Sequence, residues 1–543
     1  MKKNFTSLSS NEFGLLLALA ATLFGGWMRL LPPFLAGFPI NDGGLFYTII
    51  ETIQENNYYW PSVIRYNGLA IPFTYPPFAF YIVAIFGDAL HISTLEIVRW
   101  LPAAVTILTI PAFFSLAKAI LKSVFQAGMA TLFFALAPRS IAWLVMGGGV
   151  TRSFGELFLI LAAHSLYRLF TEQNHKHLYF SGLFCALTVL AHPEATLHTI
   201  GIGIFFWAAL ERNKQGFLKM LGVGSIVILA TLAWWGPMIA AYGLHPFVSA
   251  ARTGLYGPFG LANLLLLVFP NEPFMTFIAV FAVIGFAFAA VQKDFFLALW
   301  IVLQFIIEPR NAPNVAIIPL VMLSAIAFCE VVLPGIQKAA LSFSTANTLD
   351  RTENRIRFGT VLFLSIHLLI GMAYFDARLA GLTLTAANRQ AFEWVSANTP
   401  AHSRFLILTG QPDLFSDETS EWFPALTGRV SVATIQGQEW IAGTDFAVLM
   451  DQLPQLQSCV YSPDPLGCIK PIKDKLGIKF DYVYISRHPE NIAFSNPGEN
   501  APRGDALIMQ IEQRPAEYEK IFRTDEVAIY KIRLMFRTSD SVE

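Results

Sequence analysis

The sequence predicts a polytopic α-helical membrane protein that carries a C-terminal α/β domain in water. Three observations predict it. Of the 543 residues, 55% are hydrophobic and only 14% are charged, whereas a soluble chain carries about a quarter charged residues. Mean hydropathy is +0.52. The charge is also unevenly spread: residues 381–543 hold 15 Lys/Arg and 21 Asp/Glu, close to half of the chain's charged residues. Residues 1–384 therefore read as a transmembrane domain, and residues 385–543 as a soluble extracytoplasmic α/β domain. A net charge of −1 without a basic run gives nucleic acid no electrostatic footprint.

The chain opens on two lysines and then runs apolar from Phe13 to Leu31. That run is long, contains Arg29 and lacks a small-x-small cleavage site. It reads as an uncleaved first span with its lysines on the cytoplasmic side. Segments of spanning character follow at Leu101–Leu121, Val124–Met146, Phe154–Phe170, Leu178–Ala191 and Ala195–Leu210. Others lie at Phe217–Tyr242, Phe274–Val291, Phe295–Ile307, Ala312–Leu333 and Phe358–Ala380. Several are shorter than the ~20 residues that cross hydrocarbon as a helix.

Lys and Arg concentrate in alternate turns: Lys118 and Lys122, Arg168 and Lys176, Arg212 and Lys214, Lys293, and Lys338 to Arg357. By the positive-inside rule these turns are cytoplasmic. The loop 32–100, the turns Gly147–Thr151 and His192–Glu194, the stretch Gly243–Gly260 and the turn Glu308–Asn311 then face outward. An odd number of crossings must separate the first outer loop from Lys118. Tyr75–Leu90, short and opened by two prolines, is therefore expected in the outer interface. About eleven to thirteen spans result, with the N-terminus cytoplasmic and the C-terminal domain outside the cell membrane.

In the tail, Arg404–Thr409 and Asp481–Ser486 read as strands, Ala506–Gln513 as a helix, and Tyr518–Arg523 with Glu526–Ile532 as a closing strand pair. Cys185 and Cys329 lie in apolar segments as core fillers. Cys459 and Cys468 sit in the exported part, where a disulfide is open to them, although spacing alone does not decide it.

The most informative stretch is Phe38–Tyr81. Asp42 follows the first span, beside Gly43-Gly44, where an acid needs a cation, water or a substrate group for company. Leu45, Ile49, Ile50 and Ile53 then recur at helical spacing opposite Glu51, Gln54 and Glu55, as in a helix along a membrane surface. Tyr58-Tyr59-Trp60-Pro61 and Tyr75-Pro76-Pro77-Phe78 follow. Acid, helix, Tyr-Trp-Pro and Tyr-Pro-Pro in this order resemble the first outer loop of the GT-C membrane glycosyltransferases. The aminoarabinose-transferase-like and protein-mannosyltransferase-like enzymes are the nearest in pattern.

The resemblance implies a polyprenyl-phosphate sugar donor, an acceptor lipid, protein or glycan, and Asp42 in the place of the catalytic acid. The plain alternative is that Asp42 caps the helix starting near Gly44. Arg310, in the turn Glu308-Pro309-Arg310-Asn311 before a Pro-containing late span, matches the family's habit of an Arg at that point. A guanidinium there holds phosphate by paired hydrogen bonds, or else pairs with Glu308. Arg252 is a second candidate for the donor phosphate.

Other candidates for substrate binding are Tyr75, Arg152, Glu156, His192, Glu194 and Tyr256. Arg152 and Glu156, four apart after Gly147-Gly148-Gly149, equally read as a simple helical pair. His192-Pro193-Glu194 equally reads as a cap or a packed polar corner. Asp417–Arg429 and the segment ending at Trp440 combine Trp, Glu and Gln, as a sugar-facing surface or a domain core does. No cofactor is expected. No Asp-x-Asp or Glu-x-Asp pair accompanies Asp42, which leaves a divalent metal without a motif. The Trp-Trp-Asp acceptor motif of the oligosaccharyltransferase-like members is also missing, since Trp234-Trp235 precedes Gly236. A glycosyltransferase using Asp42 as general base is the expectation. En bloc oligosaccharyl transfer, a transporter or flippase, and a scaffold are the alternatives.

Overall fold

The computed structural model describes residues 9–172, 174–253, 270–342, 349–443, 445–487 and 504–533. The first helix, α1 (Ser10–Ala36), starts at a capping box: Ser9 accepts from the Glu12 N–H while the Glu12 carboxylate accepts from the Ser9 N–H. It ends on left-handed Gly37. The first loop then folds as α2 (Gly44–Glu55), a hairpin of β1 (Val63–Tyr66) and β2 (Leu69–Pro72), and α3 (Phe78–Leu90). Asn67-Gly68 turns the hairpin with φ of 54° and 72°. This is the dipeptide that such a two-residue turn favours, although periodicity alone did not mark these short strands.

The bundle continues with α4 (Thr94–Ile120), α5 (Val124–Leu136), α6 (Gly149–Thr171), α7 (Lys176–Ala191), α8 (Pro193–Leu210), α9 (Lys214–Tyr242) and α10 (His245–Thr253). After it come α11 (Phe277–Gln292), α12 (Phe296–Ile307), α13 (Ala312–Ala327), α14 (Leu333–Leu341) and α15 (Leu349–Leu379). Five helices among the described residues are long and apolar enough to cross a membrane: Ser10–Ala36, Thr94–Ile120, Lys214–Tyr242, Ala312–Leu341 and Thr352–Leu379. The chain is an integral membrane protein. Helix α13 is buried on every side and forms the centre of the bundle.

Some helices start well before their expected segments, at Thr94 and Leu349, and two further segments differ in their course. Val124–Met146 was expected as one span, but α5 stops at Leu136. Ala137 precedes Pro138 and takes an extended conformation (φ −80°, ψ 122°), as a residue before proline prefers. A short 3₁₀ turn and irregular backbone follow, buried within the protein rather than facing lipid. In the other case, Ala312–Leu333 extends to Leu341 through a π turn at Phe328–Val332.

The tail forms α16 (Ala386–Asn398), β3 (Arg404–Leu408), α17 (Glu418–Thr427), β4 (Val430–Ser431), α18 (Asp445–Ser458), α19 (Pro465–Leu476), β5 (Tyr482–Ser486), α20 (Asp505–Glu512), β6 (Tyr518–Arg523) and β7 (Val527–Ile532). Its sheet has the order β4-β3-β5-β7-β6, with β4, β3 and β5 parallel and β7 antiparallel to both neighbours. Strand alternation divides the core. Leu406, Leu408, Val483 and Ile485 pack on one face with Leu453, Ile469 and Leu507. Phe405, Ile407, Tyr482 and Tyr484 pack on the other with Phe392, Trp422 and Phe423. The two central parallel strands run apolar from Phe405 to Leu408 and aromatic or apolar from Tyr482 to Ile485, as two covered faces require.

Cys459 and Cys468 are joined in a disulfide with Cα atoms 5.5 Å apart, which answers the question that their spacing left open. Cys185 and Cys329 are free. Mass spectrometry of the denatured, unreduced protein should therefore show two alkylated cysteines, rising to four after reduction. A Cys459→Ser/Cys468→Ser variant should lose about 2.6 kcal/mol in the tail's chemical unfolding, the loop-entropy value for a closure of this length.

Candidate active site

Asp42 sits where three strands of backbone meet. The Asn41 N–H donates to the Leu382 carbonyl at 2.7 Å, and the Gly147 N–H to the Ile40 carbonyl at 2.8 Å. The flanking residues turn sharply, with φ of 53° at Asn41 and 132° at Gly43. Asn tolerates the left-handed region, while the second value is glycine's. A Cβ on Gly43 would stand 3.0 Å from the Gly147 Cα and 3.1 Å from the Trp422 ring. This turn delivers the Asp42 carboxylate to the start of α6. Oδ1 accepts from the Gly148 N–H at 3.0 Å, and Oδ2 from Arg152 Nη2 at 2.7 Å.

The glycine run is thereby explained, since a Cβ on Gly147 or Gly148 would collide with Asp42 itself. Capping of α2 is overturned as the role of Asp42. The N-cap is Gly43 and has no side-chain cap bond. The expected Arg152–Glu156 helical pair is overturned too. Arg152 turns to Asp42 and lies over the Trp143 ring at 5.5 Å, while Glu156 is buried one turn along α6.

Tyr75 closes one side. Its hydroxyl is 3.4 Å from Thr151 Oγ1, and its ring packs with Phe46, Phe80 and Trp440 at centroid distances of 5.2, 5.6 and 5.7 Å. Burial pushes the phenol up to about 12, so it is a neutral O–H at physiological pH. Asp42, Arg152 and Glu194 all lie within its electrostatic reach.

Glu194 links this group to Arg310, with its Oε1 3.8 Å from Arg310 Nη1. The Arg310 guanidinium also lies over the Phe415 ring of the tail at 5.0 Å. Glu308 accepts from the backbone N–H groups of Arg310 and Asn311 at 3.0 and 2.6 Å, which shapes the turn into α13. His192 acts as a cap: its Nδ1 accepts from the Ala195 N–H at 3.3 Å. Arg252 lies near the end of α10, which touches the segment ending at Trp440 through Ser249 Oγ and the Glu439 carbonyl at 2.9 Å. Tyr256 lies outside the described residues. Among the described residues no cluster of three or more His, Cys, Asp or Glu is placed to hold a metal ion.

Sequence reasoning missed two acids that the tail brings to this site. Glu421 is 4% exposed, and its Oε1 accepts from the Gly43 N–H at 2.9 Å. Burial first, and the charge of Asp42 second, push it up to about 8. Glu439 is pushed to about 7 by burial, opposed by its own and the Gly437 N–H and by Arg310. Both lie in Trp-containing stretches that the sequence singled out, but no local pattern signals a partner hundreds of residues away. Trp422 and Phe423 are fully buried. That stretch is therefore domain core and not an open sugar-facing surface.

Arg152→Ala should leave the Asp42 carboxylate without its cation at a site where the two side chains are 14% and 22% exposed. A loss of roughly 2–4 kcal/mol is expected. Thermal unfolding in detergent, run as a double-mutant cycle with Asp42→Asn, should return a coupling above about 1 kcal/mol.

Neither a protein-family profile nor a curated protein sequence matches the chain. Solved structures do. The oligosaccharyltransferase AglB from Archaeoglobus fulgidus, in complex with an inhibitory peptide and a dolichol-phosphate, is 14% identical with a TM-score of 0.56 over 87% of this chain and 69% of its own. ArnT from Cupriavidus metallidurans, bound to undecaprenyl phosphate, is 13% identical with a TM-score of 0.54 over 95% of this chain and 97% of its own. The arabinofuranosyltransferase AftD from mycobacteria is 15% identical with a TM-score of 0.52 over 97% of this chain, which spans 40% of AftD. The chain shares its fold with AglB, ArnT and AftD.

Proposed function

We propose that the chain is a membrane glycosyltransferase that moves a sugar from a polyprenyl-phosphate-linked donor to an extracytoplasmic acceptor. Its N-terminus would be cytoplasmic and its tail outside. The observation that carries this reading is the setting of Asp42. It is a carboxylate at the end of the first span, aimed by a backbone N–H and a guanidinium, with Glu194 inside the electrostatic reach of that guanidinium and 3.8 Å from a second one, Arg310. Two structures of the same fold hold a lipid phosphate, dolichol-phosphate in AglB and undecaprenyl phosphate in ArnT.

In this reaction the acceptor hydroxyl or amine attacks the anomeric carbon. The bond from that carbon to the phosphate oxygen breaks, and the lipid phosphate leaves with the electron pair. Asp42 takes the acceptor proton as general base. Arg310, with Arg252, offsets the charge that grows on the departing phosphate. Arg152 aims Asp42, Glu194 holds Arg310 until the donor arrives, and the neutral Tyr75 hydroxyl, 3.4 Å from Thr151 Oγ1, turns to a sugar oxygen. En bloc oligosaccharyl transfer is a second reading, favoured by the likeness to AglB. Against it, Trp234-Trp235 lies within α9 and is followed by Gly236.

The test is a screen of radiolabelled polyprenyl-phosphate pentoses and hexoses against the protein in nanodiscs. Label should pass to an acceptor, or be released slowly to water. Asp42→Asn should lower turnover by at least about 100-fold. Arg310→Ala should raise the donor KM by at least about tenfold, the loss of a charged hydrogen-bonding partner. Full activity in Asp42→Asn would refute the mechanism, and vesicle uptake without transfer would favour a transporter.

A further inference from the structure

Residues 421 and 422 of the tail grip the backbone on both sides of Asp42. The Glu421 carboxylate accepts from the Gly43 N–H at 2.9 Å, and the Trp422 indole N–H donates to the Asn41 carbonyl at 2.8 Å. The Leu45 N–H lies beside the same carboxyl group. The grip is itself braced. Gln436 Nε2 donates to Glu421 Oε2 at 3.2 Å, and the Tyr66 hydroxyl donates to the Glu421 carbonyl at 2.7 Å. The tip of the β1–β2 hairpin adds a reciprocal pair between the Asn67 side chain and the Ser431 backbone, at 2.9 and 2.7 Å.

We propose that Glu421 is a positioning residue through which the C-terminal domain sets the Asp42 turn, so that bundle and tail form one active centre and not a catalytic bundle with a separable appendage. The proposal rests on Asp42 being the reactive carboxylate, and it deepens that reading.

The turn needs such a hold. The backbone at Asn41 and Gly43 is left-handed, and a loop of that kind returns to more populated conformations unless its surroundings fix it. Glu421 also has a proton to lose. The charges that face it are Asp42 from the loop after α1 and Arg152 from α6, with the neutral Tyr66 phenol from β1. Its folded pKa is raised to about 8, so the folded protein keeps a proton that the unfolded chain has already released. Stability from this group therefore falls as pH rises from the ordinary carboxylate range to about 8. As the proton leaves, a second negative charge appears beside Asp42, and above about 8 the contribution is gone.

Hydrogen exchange on the full-length protein in nanodiscs tests this without knowledge of the sugar donor. Glu421→Ala should speed exchange at the amides of Gly43 and Leu45 by at least about tenfold, while β3 and β5 stay protected. Glu421→Gln keeps an oxygen for Gly43 and should restore protection to within about threefold of the native protein. Between about pH 7 and 9 the protection factors of the turn should fall in the native protein and stay flat in Glu421→Gln. Trp422→Phe, which keeps the ring packing and loses one bond, should give an intermediate loosening if Glu421→Ala fails to fold. Native protection of the turn in Glu421→Ala, or in Trp422→Phe should that be the only folded variant, would overturn the proposal. So would a loss of protection spread evenly over the tail's sheet. An active Asp42→Asn with the turn still held by Glu421 would instead sink the reaction and leave the grip intact.

Discussion

A carboxylate at the edge of a helical bundle has to be matched by a cation and by hydrogen bonds, or it takes up a proton and loses its charge. The architecture around Asp42 answers that requirement. Arg152 supplies the cation at 2.7 Å and Gly148 an N–H at 3.0 Å. To put both there, α5 must end early at Pro138 and the chain must run irregularly to Gly147 before α6 begins. Non-helical backbone at that place is affordable because protein covers it. The three glycines at the start of α6 are part of the same device, since side chains at the first two would displace Asp42.

The second half of the device comes from the tail. A five-stranded sheet with two covered faces is rigid, and α17 packs on one face through Trp422 and Phe423. Phe38, just past α1, enters that same core and meets Trp422 edge-on at 4.9 Å. The hydrophobic core of the tail thus extends into the chain that leads to Asp42. Polar contacts at Gly43 and Asn41 complete a junction that apolar packing has already aligned.

What the sequence made legible follows from the range of each interaction. Apolar runs, caps and strand alternation are local, and β3, β5, β6 and β7 lie within a residue or two of where periodicity put them, while the two-residue β4 is too short to mark. Asp42, Arg152, Glu194 and Arg310 were each marked because charged groups in tight turns between apolar segments are costly. The structure brings all four together as two pairs, Asp42 with Arg152 and Glu194 with Arg310, that lie within electrostatic reach of each other. Their pairing was not legible. Arg152 has a tempting partner four residues on, and only the fold reveals that Asp42 outcompetes it. Glu421 and Glu439 lie in stretches marked by their Trp, Glu and Gln, but nothing local tied either acid to Asp42, because a buried acid in the tail is recognised only by what it faces.

The two guanidiniums differ in a way that suits two different tasks. Arg152 meets Asp42 at 2.7 Å in a contact braced by Trp143, which makes a fixed pair. Arg310 meets Glu194 at 3.8 Å and rests on the Phe415 ring, a contact without the geometry of a good hydrogen bond. Glu421 and Glu439 hold protons into the neutral range and so add little charge of their own there. An arriving lipid phosphate would bring a better-shaped acceptor for Arg310 than Glu194 offers. It could win that cation without disturbing the pair that aims Asp42. In the proposed reaction the base therefore stays aimed throughout, while the cation that receives the leaving group changes partners, and the separation of the two pairs, Asp42 with Arg152 and Glu194 with Arg310, is what makes both possible.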